Sequence, residues 1–215
     1  MNEDGMLLID KPANMTSFGV VARVRRRLSE QLGKKAKVGH TGTLDPFATG
    51  LMIIVTGKEC RNAMQYSKLD KVYEATVRLG QTSTTGDPEG EITNESNVQP
   101  SLDDVKAALT QFTGEITQRP PMFSAIKING RRAYDLARKG EVVEIPERQV
   151  TIYSLELIDY SYPNIHIRTH VSSGTYIRTL AEDVGKVLET GAYCSQLRRT
   201  KVGEWSIEDA QAIER

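Results

Sequence analysis

Apolar and polar positions recur along this chain with two different periods, and the switches between them mark its elements. Gly5-Met6-Leu7-Leu8-Ile9-Asp10 is a short apolar run that reads as a buried strand, broken by Lys11-Pro12-Ala13-Asn14. Phe18, Val21, Val24, Leu28 and Leu32 follow at helical spacing, with Thr16 or Ser17 as the cap and Gly33 as the stop. Leu51 to Val55 is a second buried strand, and Gly57 to Tyr66 reads as a helix. From Lys71 to Leu79 the period is two: Tyr73, Ala75, Val77 and Leu79 share one face, and Val72, Glu74, Thr76 and Arg78 the other. Gln81 to Pro100, rich in Gly, Pro, Ser, Thr and Asn, reads as a mostly exposed connection. Leu102 to Phe112 is a helix, Gly114 to Gln118 and Met122 to Ile128 are strands, and Arg132 to Lys139 is helical. Gln149 to Tyr160 and Asn164 to Val171 make a hairpin around Tyr162-Pro163. Thr175 to Glu189 is strongly amphipathic, with Ile177, Leu180, Ala181, Val184 and Leu188 on one face. Ala192 to Val202 is a strand, and Ser206 to Ile213 a short closing helix. Strands and helices mix without regular βα alternation, so the expected fold is α+β, with a mixed, largely antiparallel sheet flanked by helices.

One stretch fits neither period. Gly39-His40-Thr41-Gly42-Thr43-Leu44-Asp45-Pro46-Phe47-Ala48-Thr49-Gly50 carries three glycines and a proline, which cannot be the interior of a helix or strand. Apolar runs flank it, so it is expected to be a structured loop, and loops on a rigid scaffold are where chemistry concentrates. It offers one carboxylate, Asp45, and one imidazole, His40. Taken alone, Leu-Asp-Pro reads as a plain turn.

Charge adds a second clue. With 28 basic and 28 acidic residues the net charge is zero, yet the signs are segregated. Arg23, Arg25, Arg26, Arg27, Lys34, Lys35 and Lys37 crowd one segment with Glu30 among them; Lys127, Arg131, Arg132, Arg138 and Lys139 form a second group, and Arg198, Arg199 and Lys201 a third. Acids collect at Asp87, Glu89, Glu91, Glu95, Asp103 and Asp104. A neutral sum can hide a basic face suited to a polyanion. Arg178 stands out further. It lies in the first turn of a helix, where the backbone dipole disfavours a cation, so an anion is expected beside it: Glu182 at i+4, a phosphate, or a buried carboxylate from another loop.

Several chemistries find no footing. Gly50 to Gly57-Lys58 lacks P-loop spacing, and Glu59 follows the lysine where Ser or Thr belongs. There is no GxGxxG after a strand and no GxSxG elbow. His166 and His170 share a strand face with Arg168, and two distant cysteines, Cys60 and Cys194, read as reduced thiols. No metal or cofactor is expected. No apolar run approaches the roughly 18–20 residues that span a bilayer, and the acidic start Met1-Asn2-Glu3-Asp4 is unlike a signal peptide, so a cytoplasmic location is expected.

The ordered blocks of the chain resemble the TruB family of pseudouridine synthases. Gly39 to Pro46 is similar to its signature loop, Lys11-Pro12 with Thr16-Ser17 to its N-terminal motif, and Lys71-Val72-Tyr73-Glu74-Ala75 to its tyrosine strand. Gln118 to Lys127 resembles its proline-rich block, and Ser173 to Arg178 and Leu197 to Thr200 resemble its last two motifs. Asn14 stands where the family usually has glycine, a mild departure because asparagine tolerates a left-handed backbone. The resemblance implies the pseudouridine synthase fold and isomerisation of uridine 55 in the T loop of transfer RNA, with Asp45 as catalytic aspartate, Arg178 as the cation paired with it, and Tyr73 packing on the base and assisting proton removal. It also implies RNA or substrate contacts from His40, Lys11, Lys127, Tyr176, Leu197 and Arg198, with no cofactor, acting as a monomer on the T-arm. Residues 1–215 are expected to form one catalytic domain without the small C-terminal PUA-like domain common in bacterial members. Two alternatives stay open: a non-catalytic transfer RNA chaperone, and a synthase acting on another RNA.

Overall fold

The chain divides into two compact units in the computed structural model, which describes residues 3–124, 126–128, 130–133, 136 and 144–213 and, of Lys127, Ile128 and Arg132, the backbone alone. The first unit comprises Met1–Tyr73 and Arg198–Arg215, the second Glu74–Leu197. The strands are β1 (Gly5–Lys11), β2 (Val38–His40), β3 (Thr49–Thr56), β4 (Lys71–Leu79), β5 (Gln81–Ser83), β6 (Ile92–Asn94), β7 (Gly114–Gln118), β8 (Lys127–Ile128), β9 (Arg131–Arg132), β10 (Arg148–Ser161), β11 (Asn164–Val171), β12 (Ala192–Val202), β13 (Trp205–Ser206) and β14 (Gln211–Ala212). The α-helices are α1 (Ser17–Leu32), α2 (Ala63–Ser67), α3 (Leu102–Thr110) and α4 (Ile177–Val187).

In the first unit β3 is the central strand because Leu51–Val55 is an unbroken apolar run, and all of Thr49–Thr56 but Thr49 are buried. It pairs antiparallel with β1 and β2, and the end of β12 runs parallel beside it at Thr49 and Gly50. Leu51, Ile53, Val55 and Val202 form a core onto which Met6, Leu8, Tyr66 and Trp205 pack. Each such buried side chain contributes about 1.5–3 kcal/mol. Helix α1 follows its sequence signals: the Thr16 hydroxyl accepts the Gly19 amide at 2.9 Å, Gly33 ends the helix at φ 65°, and Val20, Val21, Val24 and Leu28 point inward. In the second unit the strands run in the order β4, β11, β10, β7. The antiparallel pairs β10–β11 and β10–β7 dominate it, and α4 buries Ile177, Leu180, Ala181 and Val184. Antiparallel pairing outweighs the parallel β1–β14 and β12–β3 contacts, as the α+β expectation requires.

Four boundaries differ from the sequence reading. Gly57, at φ 55°, opens a 3-10 turn to Arg61, and only Ala63–Ser67 is α-helical. Met122 to Ser124 bend, leaving only Lys127–Ile128 as strand. Ser206 to Ile213 is not a helix: β13 pairs with β12, Ile207–Asp209 make one 3-10 turn, and β14 pairs with β1. Gln81 to Pro100 holds the β5–β6 hairpin and a buried carboxylate, described below. Most of the helix read at Arg132 to Lys139, with Arg138 and Lys139 of the second basic group, lies outside the described residues.

Candidate active site

The loop from Gly39 to Gly50 is irregular but densely held. Asp45 opens a turn, its carbonyl accepting the Ala48 amide at 3.2 Å. The residue before it is gripped by Ser17 at the start of α1, whose hydroxyl accepts the Leu44 amide at 2.8 Å and donates to the Leu44 carbonyl at 2.9 Å. The residue after it is gripped through the Pro46 carbonyl, which accepts the Asn14 amide at 2.9 Å and the Lys11 ammonium at 3.1 Å. Asn14 sits at φ 61°, the left-handed conformation that asparagine tolerates. Farther along the loop, the buried Arg199 guanidinium donates to the Leu51 carbonyl at 2.7 Å and the Gly42 carbonyl at 3.3 Å. Gly50 lies so close to Arg199 that an ideal Cβ would stand 2.3 Å from the Arg199 carbonyl oxygen, at φ 110°, so only glycine fits there. The half-buried Asp45 carboxylate is thus carried on main chain anchored on both sides.

The other expected residues of the first unit take different places. Lys11 is fully buried, and its ammonium also donates to the Pro12 and Met15 carbonyls at 3.0 and 2.7 Å. It therefore braces the loop from inside, a setting unlike the phosphate contact the family resemblance implied for it. Arg198 makes a bidentate pair with Asp10 at 2.8 and 3.2 Å and donates to the Thr49 hydroxyl at 3.3 Å. His40 ends β2 opposite Ile54, half-buried. Tyr73 is buried on the inward face of β4. Two residues before it, the Lys71 ammonium donates to the Ser67 carbonyl at 2.6 Å and to that of Leu69. Burial pushes this ammonium down to about 8, with Arg199 adding to the effect and Asp70 opposing it.

In the second unit, Arg178 occupies the second residue of α4 and has the anion its position demanded. Its guanidinium donates to Asp87 at 3.0 Å, to the Thr85 carbonyl at 2.7 Å and to the Phe123 carbonyl at 2.8 Å. The Arg178 and Asp87 side chains are 3% and 4% exposed. Asp87 also accepts the Thr85 hydroxyl at 2.6 Å and the Glu89 amide at 3.0 Å. Glu182, the i+4 candidate, lies nearby against Gly86, and burial is the main cause raising its carboxyl above the usual range. Sequence reasoning missed Asp87, although the lone cation at a helix start called for such a group. Leu197 is buried in β12, and Lys127 falls in β8, its side chain outside the described residues.

Tyr176 is fixed from two sides. The Gln118 carboxamide accepts the Tyr176 amide at 3.0 Å and donates to the Tyr176 carbonyl at 3.2 Å, which holds this residue extended and starts α4 at Ile177, not at Thr175. The Arg148 guanidinium lies 5.0 Å from the Tyr176 ring centroid, flanked on another side by Gly174. Gln118→Leu, close in volume, is expected to cost roughly 2–3 kcal/mol by removing the acceptor of the Tyr176 amide and one of two donors to the Tyr176 carbonyl, which keeps the Leu180 amide at 3.1 Å. Thermal denaturation should show this as a fall in Tm of about 5–10 °C; an unchanged Tm would remove the clamp from the account of α4.

Residues 26–177 match the family model described as the N-terminal domain of the TruB family pseudouridylate synthases, and residues 178–214 match that of the tRNA pseudouridylate synthase B C-terminal domain. The chain is 46% identical over 211 residues to a tRNA pseudouridine synthase B of Burkholderia lata, covering 98% of this chain and 64% of that protein. It is 46% identical to its counterpart in Phocaeicola vulgatus, covering 99% and 91%, and 45% identical to that of Aquifex aeolicus, covering 98% and 72%. Among solved structures it resembles a Cbf5-Nop10-Gar1 complex, with a TM-score of 0.73 at 28% identity over 98% of this chain and 53% of that one. It also resembles an H/ACA RNP bound to a substrate RNA containing 2′-deoxyuridine, with a TM-score of 0.70 at 26% identity over 97% and 50%.

Proposed function

Because the chain belongs to the TruB family of pseudouridylate synthases, we propose that it isomerises uridine 55 in the T loop of transfer RNA to pseudouridine. The observation that carries this reading is the setting of Asp45, a carboxylate on a glycine-rich loop whose neighbours on both sides are locked by buried hydrogen bonds. Catalysis needs a reactive group held close to its working position, and anchoring of the main chain on both sides of Asp45 supplies that. The relatives named above are tRNA pseudouridine synthases, which points the same chemistry at transfer RNA.

The reaction breaks the C1′–N1 bond and forms a C1′–C5 bond; C5 loses a proton and N1 gains one, so atoms and electrons balance within the nucleotide. The target base leaves its stack at a cost of a few kcal/mol. Asp45 acts at the sugar, where both attack on carbon and removal of a proton require an ionised carboxylate. Tyr73 packs on the uracil and assists loss of the C5 proton. Arg178, held rigid by Asp87 and two carbonyls, serves as the cation that keeps the catalytic carboxylate ionised. Leu197 lines the uracil pocket, His40 helps displace the nucleotide, and Tyr176, Lys127 and Arg198 contact RNA. Lys11 takes the bracing role its burial fits.

Mapping pseudouridine by carbodiimide labelling and primer extension, in unmodified transfer RNA incubated with the protein, tests the proposal. A single new stop at uridine 55 is expected. A stop elsewhere overturns the assigned target, and none at all overturns the activity.

A further inference from the structure

The solvent face of α1 has a composition that neither the fold nor the reaction explains. Helix packing accounts for Ser17, Val20, Val21, Val24 and Leu28, which point inward. Turned outward are Phe18, Ala22 and Arg26, with Arg23 and Glu30 on one flank and Arg25 on the other. Phe18 is 64% exposed, more than the exposed aromatics Tyr153 at 49% and Phe123 at 37%. The Arg25 guanidinium lies 5.8 Å from the Phe18 ring centroid and donates to the Val38 carbonyl at 3.1 Å, so ring and cation are fixed side by side. Past the C-cap, Lys34, Lys35 and Lys37 are exposed as well, Lys34 pairing with Glu3. Glu30 is the one acid on α1 itself.

We infer that this face of α1 is an RNA-binding surface, with Arg26, Arg23 and Lys35 taking backbone phosphates and Phe18 stacking on an unpaired base or ribose. The inference rests on the proposed transfer RNA substrate and assigns where part of that RNA lies. Charge complementarity selects the occupant. Segregated cations with an aromatic platform suit a phosphodiester chain with accessible bases, whereas protein interfaces are depleted in lysine and draw on larger apolar patches. A stacked arginine keeps its charge while presenting the ring, which favours a polyanion over an apolar peptide. Ala22, small and placed between Phe18 and Arg26, lets a backbone approach closely. Position supports the same assignment: Ser17, adjacent to Phe18, is the residue whose hydroxyl grips Leu44 beside Asp45. At 1.5 Å per residue Arg26 lies about 12 Å farther along the helix, a span of about two nucleotides of extended strand.

Binding of unmodified transfer RNA, followed by filter binding or fluorescence anisotropy from 50 to 300 mM salt, tests the inference with Phe18→Ser, Arg26→Gln and the double variant Arg23→Gln/Arg26→Gln. Lys106→Gln, which removes an exposed cation from α3, is the charge-matched control. The double variant is expected to bind roughly 5–30-fold more weakly at 100 mM salt and to flatten the slope of log K against log salt by about 1.5, from 0.7 to 0.9 per phosphate contact. Phe18→Ser is expected to weaken binding about 5-fold or more with its slope unchanged, because stacking releases no counterion. The control should match wild type. Wild-type affinity and slope in all three variants, with wild type binding normally, would overturn the surface while leaving the enzymatic reading intact. Equal weakening by Lys106→Gln would overturn it too, since net charge alone would then explain the effect. A wild-type protein that neither binds nor modifies transfer RNA would overturn the enzymatic reading and this one with it. Circular dichroism of each variant separates a lost contact from a lost helix.

Discussion

Asp45→Asn is expected to lower pseudouridine formation by at least about 10³-fold, close to 4 kcal/mol on the barrier, while transfer RNA affinity stays within about threefold of wild type. The substitution removes the charge and leaves the main-chain anchors of the loop in place. The turn at this residue uses the Asp45 carbonyl, and the flanking clamps use the Leu44 amide, the Leu44 carbonyl and the Pro46 carbonyl, all main chain. Asparagine keeps that main chain and nearly the same volume, but a carboxamide neither attacks carbon nor takes a proton at neutral pH. Tritium release from transfer RNA labelled at C5 of uridine follows loss of the C5 proton directly. Turnover within tenfold of wild type would unseat Asp45 as the catalytic group. A protein whose physiological work is chaperoning transfer RNA would carry this change without consequence, so the variant also separates the enzyme from a binding module.

The second large effect concerns stability. Asp87→Ala leaves the Arg178 guanidinium buried without its carboxylate, a loss expected to cost about 3–5 kcal/mol, or roughly 10 °C in Tm for a chain of this length. Three donors converge on the Asp87 carboxylate, from the Thr85 hydroxyl, the Glu89 amide and Arg178, so the truncation takes an acceptor from each. Asp87→Asn retains an acceptor and should lose about half as much. Urea unfolding of the three proteins gives the comparison. Equal stability in wild type and Asp87→Ala would mean that the two carbonyls, with Glu182 nearby, suffice to hold the cation. Activity is expected to fall in both variants, because the role proposed for Arg178 requires a fixed position.

The parts of this molecule that were legible in the sequence are those dictated by local pattern. The apolar run of β3, the alternation of β4 and the caps of α1 each use a signal contained in fewer than twenty residues. Asp87 escaped because composition reports the average exposure of a segment, not the burial of one residue; Gln81 to Pro100 is polar overall, yet one hairpin turns its carboxylate inward. Lys11 was misplaced for the opposite reason. A lysine beside a proline near a helix start looks available to an anion, and only the folded path of residues 12–15 and of Pro46 shows that carbonyls surround it. The closing helix failed because Trp205–Ser206 and Gln211–Ala212 find strand partners in β12 and β1, a tertiary choice that overrides a short helical pattern. What the sequence did carry about the site was an inconsistency, a cation where the helix dipole opposes one; it asked for an anion there, with a buried carboxylate as one of three candidates beside Glu182 and a phosphate.

The Arg199 brace also bears on how the protein is made. Ser17 and Lys11 reach the Asp45 loop across 27 and 35 residues of chain, whereas Arg199 reaches Leu51 and Gly42 across 148 and 157. Closing the longer loops costs only about 1.4 kcal/mol more in chain entropy, so the difference lies in order more than in strength. On the ribosome the local clamps can form once β3 has emerged, but the last brace waits until translation has passed residue 199. The segment bearing Asp45 is therefore completed near the end of synthesis, and a nascent chain has a partly braced loop before it has a finished one.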